Sequence, residues 1–183
     1  MSRDRFTRIS KFLSYVLRHR PQAVGLALDA QGWASIDELI EKARPQMALN
    51  RELIEQVVST NDKQRFALSE DGTRIRANQG HSLDVDIGLE PRVPPALLYH
   101  GTATRFMDSI NRDGLVSGRR QHVHLSLDAE TAHAVGRRHG KPVILQIDAK
   151  AMHEQGMLFY VSANGVWLTE HVPTRFISQS AAV

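Results

Sequence analysis

The chain reads as an α+β protein of two lobes, and three observations predict it. Its first half holds three amphipathic helical segments followed by a short hairpin. Its second half alternates short apolar strands with helices. Between them lies a stretch without periodicity, residues 81–96, that carries Pro91, Pro94 and Pro95. The pattern predicts lobes over residues 1–80 and 97–183 joined by that linker.

In the first lobe, Ile9, Phe12, Leu13, Val16 and Leu17 repeat at i, i+3, i+4, i+7 and i+8, the core face of a helix. Pro21 disfavours helical geometry at the residue before it, so the helix is expected to end near His19 or Arg20. Lys11, Ser14 and Arg18 form the opposite stripe, with His19 at the apolar edge beside Phe12. A fixed cation and a titratable imidazole at the end of a rigid element suit a phosphate oxyanion. A basic last turn also simply complements the helix dipole. Gly32-Trp33-Ala34 is a short extended piece, and Ser35 or Asp37 can cap a helix through about Ala43, stopped by Pro45. Asn50 caps a third helix carrying Leu53, Ile54, Val57 and Val58 on one face. Residues 64–69 and 73–78 form a hairpin around Asp71-Gly72, which completes the outline of a winged-helix domain. Alternation puts Phe66, Leu68, Ile75 and Ala77 on one hairpin face and Arg65, Arg74 and Arg76 on the other, either as a wet face or facing an anion.

In the second lobe, Leu97–His100 is a strand running into Gly101-Thr102, followed by a helix over Thr104–Asp113 with Gly114 at its C-terminal cap. His122–Ser126 is a strand with His122, His124 and Ser126 on one side and Val123 and Leu125 on the other. Asp128 caps a helix ending at Gly140. Val143–Ile147, Met157–Ser162, Val166–Val172 and Phe176–Ser178 complete the strands, with Asn164-Gly165 as a hairpin turn.

The formal charge of +3 is modest, but basic residues gather at Arg3–Arg8, Arg18–Arg20, Lys63–Arg76 and Arg119-Arg120, the pattern of a polyanion site or of solvated helix faces. The absence of cysteine excludes disulfides and thiolate zinc sites. His122-x-His124 could hold a metal from one strand face, yet no third ligand is evident, so no metal is expected. No signal peptide or apolar run near twenty residues occurs, and a cytoplasmic location is expected. Phosphate-loop, dinucleotide-fold, nucleophile-elbow and zincin motifs are also missing, which argues against an ordinary ATPase, dehydrogenase or hydrolase.

The block Ser10-Lys11-Phe12-Leu13-Ser14-Tyr15-Val16-Leu17-Arg18-His19-Arg20-Pro21 resembles the opening signature of the NAD-dependent RNA 2′-phosphotransferases. The resemblance continues through Gly32-Trp33, residues 61–66 and 75–82, His100-Gly101-Thr102, residues 120–126 and Asn164-Gly165-Val166-Trp167, in the family's order and over nearly the whole chain. It implies a winged-helix N-terminal lobe and a C-terminal lobe with the split β-sheet of the ADP-ribosyltransferase fold. It also implies an enzyme that transfers an internal 2′-phosphate of RNA to NAD, consumed as co-substrate, without a metal. The products would be 2′-hydroxyl RNA, nicotinamide and ADP-ribose 1″,2″-cyclic phosphate, reached through an ADP-ribosylated 2′-phosphate. The family's functional Arg-His-Arg-Arg set falls on Arg18, His19, Arg65 and Arg120, with Arg120 rather than Arg119 in the motif position. By the same resemblance, His100, Gly101, Thr102, His122, His124, Leu125 and Ser126 would line the NAD cleft, and Lys11, Arg76, Gln79, His81 and Ser82 would face an RNA that is tRNA-like in the family. The catalytic glutamate of many ADP-ribosyltransferases is missing, Glu170 being the sole acid in Asn164–Glu170, as suits a nucleophile already anionic. A monomer is expected. The competing readings are an ADP-ribosyltransferase that caps nucleic-acid phosphates and a non-catalytic winged-helix nucleic-acid binder.

Overall fold

Helix α1 (Arg3–Arg18) buries Ile9, Leu13, Val16 and Leu17, the face that the spacing predicts, in a computed structural model that describes residues 3–180. The chain is α+β, with small sheets, and divides into two compact units, Met1–Gly88 and Leu89–Val183. Residues 81–88 of the expected linker cluster with the first unit, where His81 and Val85 are buried.

In the first unit α1 is followed by a 3₁₀ turn, β1 (Ala34–Ser35), α2 (Ile36–Ala43), α3 (Arg51–Ser59), β2 (Phe66–Leu68) and β3 (Arg74–Ala77). Both caps act as their residue types dictate: Ser35 Oγ accepts the Glu38 amide and Asn50 Oδ1 the Leu53 amide. The antiparallel sheet runs β1-β3-β2. Its register sets Phe66 opposite Ala77 and Leu68 opposite Ile75 on the core side. Leu13, Leu17, Ile36, Leu39, Leu53, Ile54 and Ile75 form the core beneath it.

The second unit contains β4 (Leu97–Ala103), a 3₁₀ turn (Thr104–Phe106), α4 (Met107–Asp113), β5 (Leu115–Val116), β6 (Val123–Leu125) and α5 (Ala129–Gly136). There follow β7 (Pro142–Asp148), α6 (Ala149–Glu154), β8 (Phe159–Val161), β9 (Trp167–Thr169), β10 (His171–Val172) and β11 (Ile177–Gln179). Two three-stranded sheets result, β11-β7-β4 and β6-β9-β8. Between them runs a single bridge, in which Tyr99 and Ser126 exchange both backbone hydrogen bonds.

Three expectations differ in detail. The helix over Thr104–Asp113 opens as a 3₁₀ turn before α4. The strand over Val166–Val172 is two, because the chain bends at Glu170 and leaves β6 for β5. Gly114 makes that second pairing possible, since a Cβ there would stand 2.2 Å from the Val172 carbonyl oxygen. Helix α5 stops at Gly136 rather than Gly140, where the Arg138 and His139 amides turn to carbonyls three residues back.

Candidate functional site

In the first unit the end of α1 is bound to the strand-exit segment 78–82. The Ser82 amide donates to the Arg18 carbonyl at 2.9 Å, and Ser82 Oγ lies 3.0 Å from His19 Nδ1. Gly80, at φ +86°, lets the Arg18 guanidinium lie against its Cα, where a Cβ would meet Nη1 at 3.5 Å. The helical stripe predicts Arg18 on a wet face with Lys11 and Ser14. Lys11 is exposed, but Arg18 is half-buried under this segment.

His81 is the unexpected member of the cluster. It is 1% exposed and neither ring nitrogen has a hydrogen-bond partner. Burial, then the charges of Arg18, His19 and Arg76, push its imidazole down to about 4, so it is neutral at physiological pH. Its Nε2 faces Gly32, where a Cβ would come within 3.4 Å. The His81 ring therefore lies behind the surface rather than on an RNA-facing one, while Ser82 is exposed and Gln79 half-buried.

The arginine face of the hairpin forms as the alternation predicts, with Arg76 opposite Ala67. Its three arginines then take different partners. Arg74 pairs with Asp29 at 3.4 Å. Arg76 lies over the Trp33 ring, 4.6 Å from its centroid. Arg65 donates from Nη1 to Asn61 Oδ1 at 3.3 Å, and Asn61 in turn reaches Ser10 on α1 at 3.4 Å. The residue before Arg65, Gln64, has φ +41°, and its carbonyl accepts the side-chain amide of buried Asn78 at 2.5 Å. Asn61 and Asn78 thus shape the turn that carries Arg65. Asn61 lies within the 61–66 block of the resemblance, but burial of Asn78 has no signature in the sequence.

In the second unit the site gathers where the two sheets part. His100 on β4 donates from Nδ1 to the His124 carbonyl at 2.9 Å, so its Nε2 is the acceptor nitrogen. Burial lowers the His100 pKa, against the hydrogen bond to His124, and the charges of His139 and Arg120 lower it further, which keeps the ring neutral. Arg120, on the loop before β6, donates from Nη1 to His124 Nδ1 at 3.1 Å. A guanidinium only donates, so His124 Nδ1 is an acceptor here and its proton sits on Nε2. His122 stacks obliquely on Tyr160 with ring centroids 5.5 Å apart, and burial lowers its pKa. His124 therefore joins the other two through different groups, its ring to Arg120 and its main-chain carbonyl to His100, and Arg119 and Arg120 are both exposed.

Four residues expected in the cofactor cleft are also engaged by the fold itself. Leu125 is 1% exposed and its side chain belongs to the hydrophobic core. Thr102 is buried, and Ser126 makes the bridge to Tyr99. Gly101 gives its missing side chain to packing: a Cβ would fall 1.7 Å from the Ala132 carbonyl oxygen, so α5 lies directly on β4. Among the described residues no group of three His, Cys, Asp or Glu side chains could hold a metal ion, and no helix is long and apolar enough to cross a membrane.

Residues 4–171 match the profile of the RNA 2′-phosphotransferase, Tpt1 / KptA family. The chain is 62% identical over 179 residues to a "Probable RNA 2′-phosphotransferase" of Pseudomonas fluorescens, covering 97% of this chain and 98% of that protein. It is 60% identical to proteins of the same name from Acaryochloris marina, over 92% of this chain and 93% of that one, and from Pseudomonas aeruginosa, over 98% and 100%. A chain so matched along almost its whole length belongs to the RNA 2′-phosphotransferase, Tpt1 / KptA family.

Proposed function

We propose that this protein removes an internal 2′-phosphate from RNA by transferring it to NAD, with the first unit as a winged-helix lobe and the second as an ADP-ribosyltransferase-like lobe. The observation that carries the reading is the cluster of Arg120, His124 and His100, in which a guanidinium rests on the His124 ring and the His100 ring on the His124 carbonyl, in a member of this family. The donor set suits a dinucleotide: a His100 acceptor nitrogen, the His122–Tyr160 ring pair and a guanidinium to meet negative charge. NAD, when bound, supplies a ribose carbon activated by nicotinamide as leaving group.

The residues divide the work by charge. Arg18 and Arg65 hold the oxygens of the RNA 2′-phosphate, which is already anionic and attacks without a base. The Arg120 guanidinium bears on charge that moves onto the phosphoryl group in the second step, when the ribose 2″-hydroxyl displaces the RNA 2′-oxygen. His19 handles the proton of that exchange or donates a hydrogen bond to the phosphate. Ser82 Oγ, 3.0 Å from Nδ1, orients the ring for either duty. Three positively charged forks and a proton carrier can complete this chemistry without a metal.

Incubation with NAD and a short RNA bearing one internal 2′-phosphate tests the reading. Release of nicotinamide and ADP-ribose 1″,2″-cyclic phosphate with 2′-hydroxyl RNA is expected. Persistent ADP-ribosylated RNA would instead establish a phosphate-capping transferase, and unchanged RNA a passive binder. Arg65→Ala and Arg120→Ala are each expected to lower turnover at least 100-fold, on the order of the loss when one preorganised donor is removed from a transition state; full turnover in either would remove that arginine from the mechanism.

A further inference from the structure

We infer that the second unit carries a separate docking face for the RNA strand beyond the phosphorylated nucleotide, formed by Arg105, Phe106, Arg137, Arg138 and Lys141. This rests on the RNA-directed reading above. The face is made by two segments that the fold brings together. The Thr104 amide donates to the Lys141 carbonyl at 3.1 Å, which lays the turn after β4 beside the loop after α5. Phe106, 38% exposed, meets the His139 ring edge-on at 6.4 Å, and the Arg105 guanidinium sits 4.6 Å over its face.

Two adjoining segments therefore carry four cations and one exposed aromatic ring, and all four cations are exposed. Among the described residues no salt bridge involves any of them, whereas exposed Arg74 and Arg112 take carboxylate partners. The helix dipole explains a cation or two at the end of α5 but not Arg105, which lies on another segment. Uncompensated cations beside a planar ring and a planar guanidinium are what a single strand needs: charge for its phosphates, flat faces for its bases. The face also adjoins the candidate site, since the turn carrying Arg105 and Phe106 directly follows β4, the strand that holds His100. A strand held here can continue from the reacting nucleotide.

The test is the triple variant Arg137→Gln/Arg138→Gln/Lys141→Gln, assayed with two RNAs that each carry one internal 2′-phosphate, a dinucleotide and a strand of roughly twelve nucleotides. Anisotropy of the longer RNA against salt should give a log–log slope shallower by about 2, from roughly 0.7 for each phosphate no longer neutralised, and an affinity at least tenfold weaker in low salt. Turnover of the dinucleotide and the KM for NAD should stay within twofold. Phe106→Leu should weaken the longer RNA severalfold with no change of slope. An unchanged slope and affinity would make the face merely solvated. A raised KM for NAD with RNA binding intact would assign it to the cofactor, and either result overturns the inference. Loss of slope in a protein that removes 2′-phosphate from neither RNA would uphold the docking face and overturn the proposed reaction.

Discussion

Acidification is expected to destabilise the first unit through His81. The ring is fully buried among cations, and its pKa of about 4 lies well below the ordinary histidine value of 6.5. Because the folded value is the lower one, the unfolded chain binds more protons between those two pH values, and stability must fall as pH falls through that window. At pH 7.5 both states are neutral and the group contributes almost nothing. At pH 5 the unfolded ring is almost wholly protonated and the folded one scarcely so, a difference of about 2 kcal/mol from 1.36 kcal/mol per unit; by pH 4 it reaches about 3 kcal/mol. Urea denaturation at pH 7.5 and pH 5 measures it, with Trp33 as reporter in a Trp167→Phe background, since each unit holds one of the two tryptophans. Wild type should lose about 2 kcal/mol more than His81→Asn over that interval. Parallel curves, within about 0.5 kcal/mol, would mean that His81 is hydrated or paired in solution and refute the reasoning.

Two further expectations concern backbone geometry. Gly101→Ala puts a methyl group 1.7 Å from the Ala132 carbonyl oxygen, so α5 must move and stability should drop by at least about 3 kcal/mol, read from Trp167 fluorescence in urea; a change under 1 kcal/mol would disprove the close packing. Gln64→Gly should leave stability within about 1 kcal/mol, while Gln64→Val, branched at φ +41°, should cost about 2 kcal/mol and slow phosphate transfer through Arg65; equal stability of the two variants would show that the left-handed turn is not held in solution.

Periodicity makes the α1 face legible because one side of that helix is apolar and the other is not, and the Ser35 and Asn50 caps are legible because their side chains act within four residues. The hairpin's arginine face follows from strand alternation alone. What the sequence hides depends on distant partners. Nothing local says that residues 78–82 fold back over Arg18, so His81, polar and next to Ser82, reads as surface. Gly101 reads as room for a ligand, because the helix that fills the space begins 28 residues later, at Ala129. Leu125 joins the expected cleft with its motif, although its own alternation already turns it inward. Family signatures mark a segment, whereas burial decides which atoms of the segment can touch a substrate.

The partners of the arginines separate two kinds of role, and that separation can be tested. Asp37, Asp29 and Asp113 neutralise Arg51, Arg74 and Arg112. Arg65 and Arg120 are held instead by an amide oxygen and a neutral imidazole nitrogen, partners that fix a guanidinium without cancelling its charge. A phosphate arriving at such an arginine meets a full charge already oriented. Asn61→Asp keeps the shape and the acceptor for both Arg65 and the Lys63 amide, adds a negative charge, and replaces the long Nδ2 bond to Ser10 with an oxygen to which the Ser10 hydroxyl can donate. The variant should fold with stability within about 1 kcal/mol of wild type, since a pair that stays half open to solvent contributes little. Its kcat/KM for 2′-phosphorylated RNA should nevertheless fall at least tenfold, because the phosphate must displace a carboxylate. The loss should ease as salt screens the new pair. Asn61→Ala, which frees Arg65 without neutralising it, should lose less. If Asn61→Asp matched wild type in turnover, the neutrality of the partner would be incidental, and Arg65 would act through its position alone.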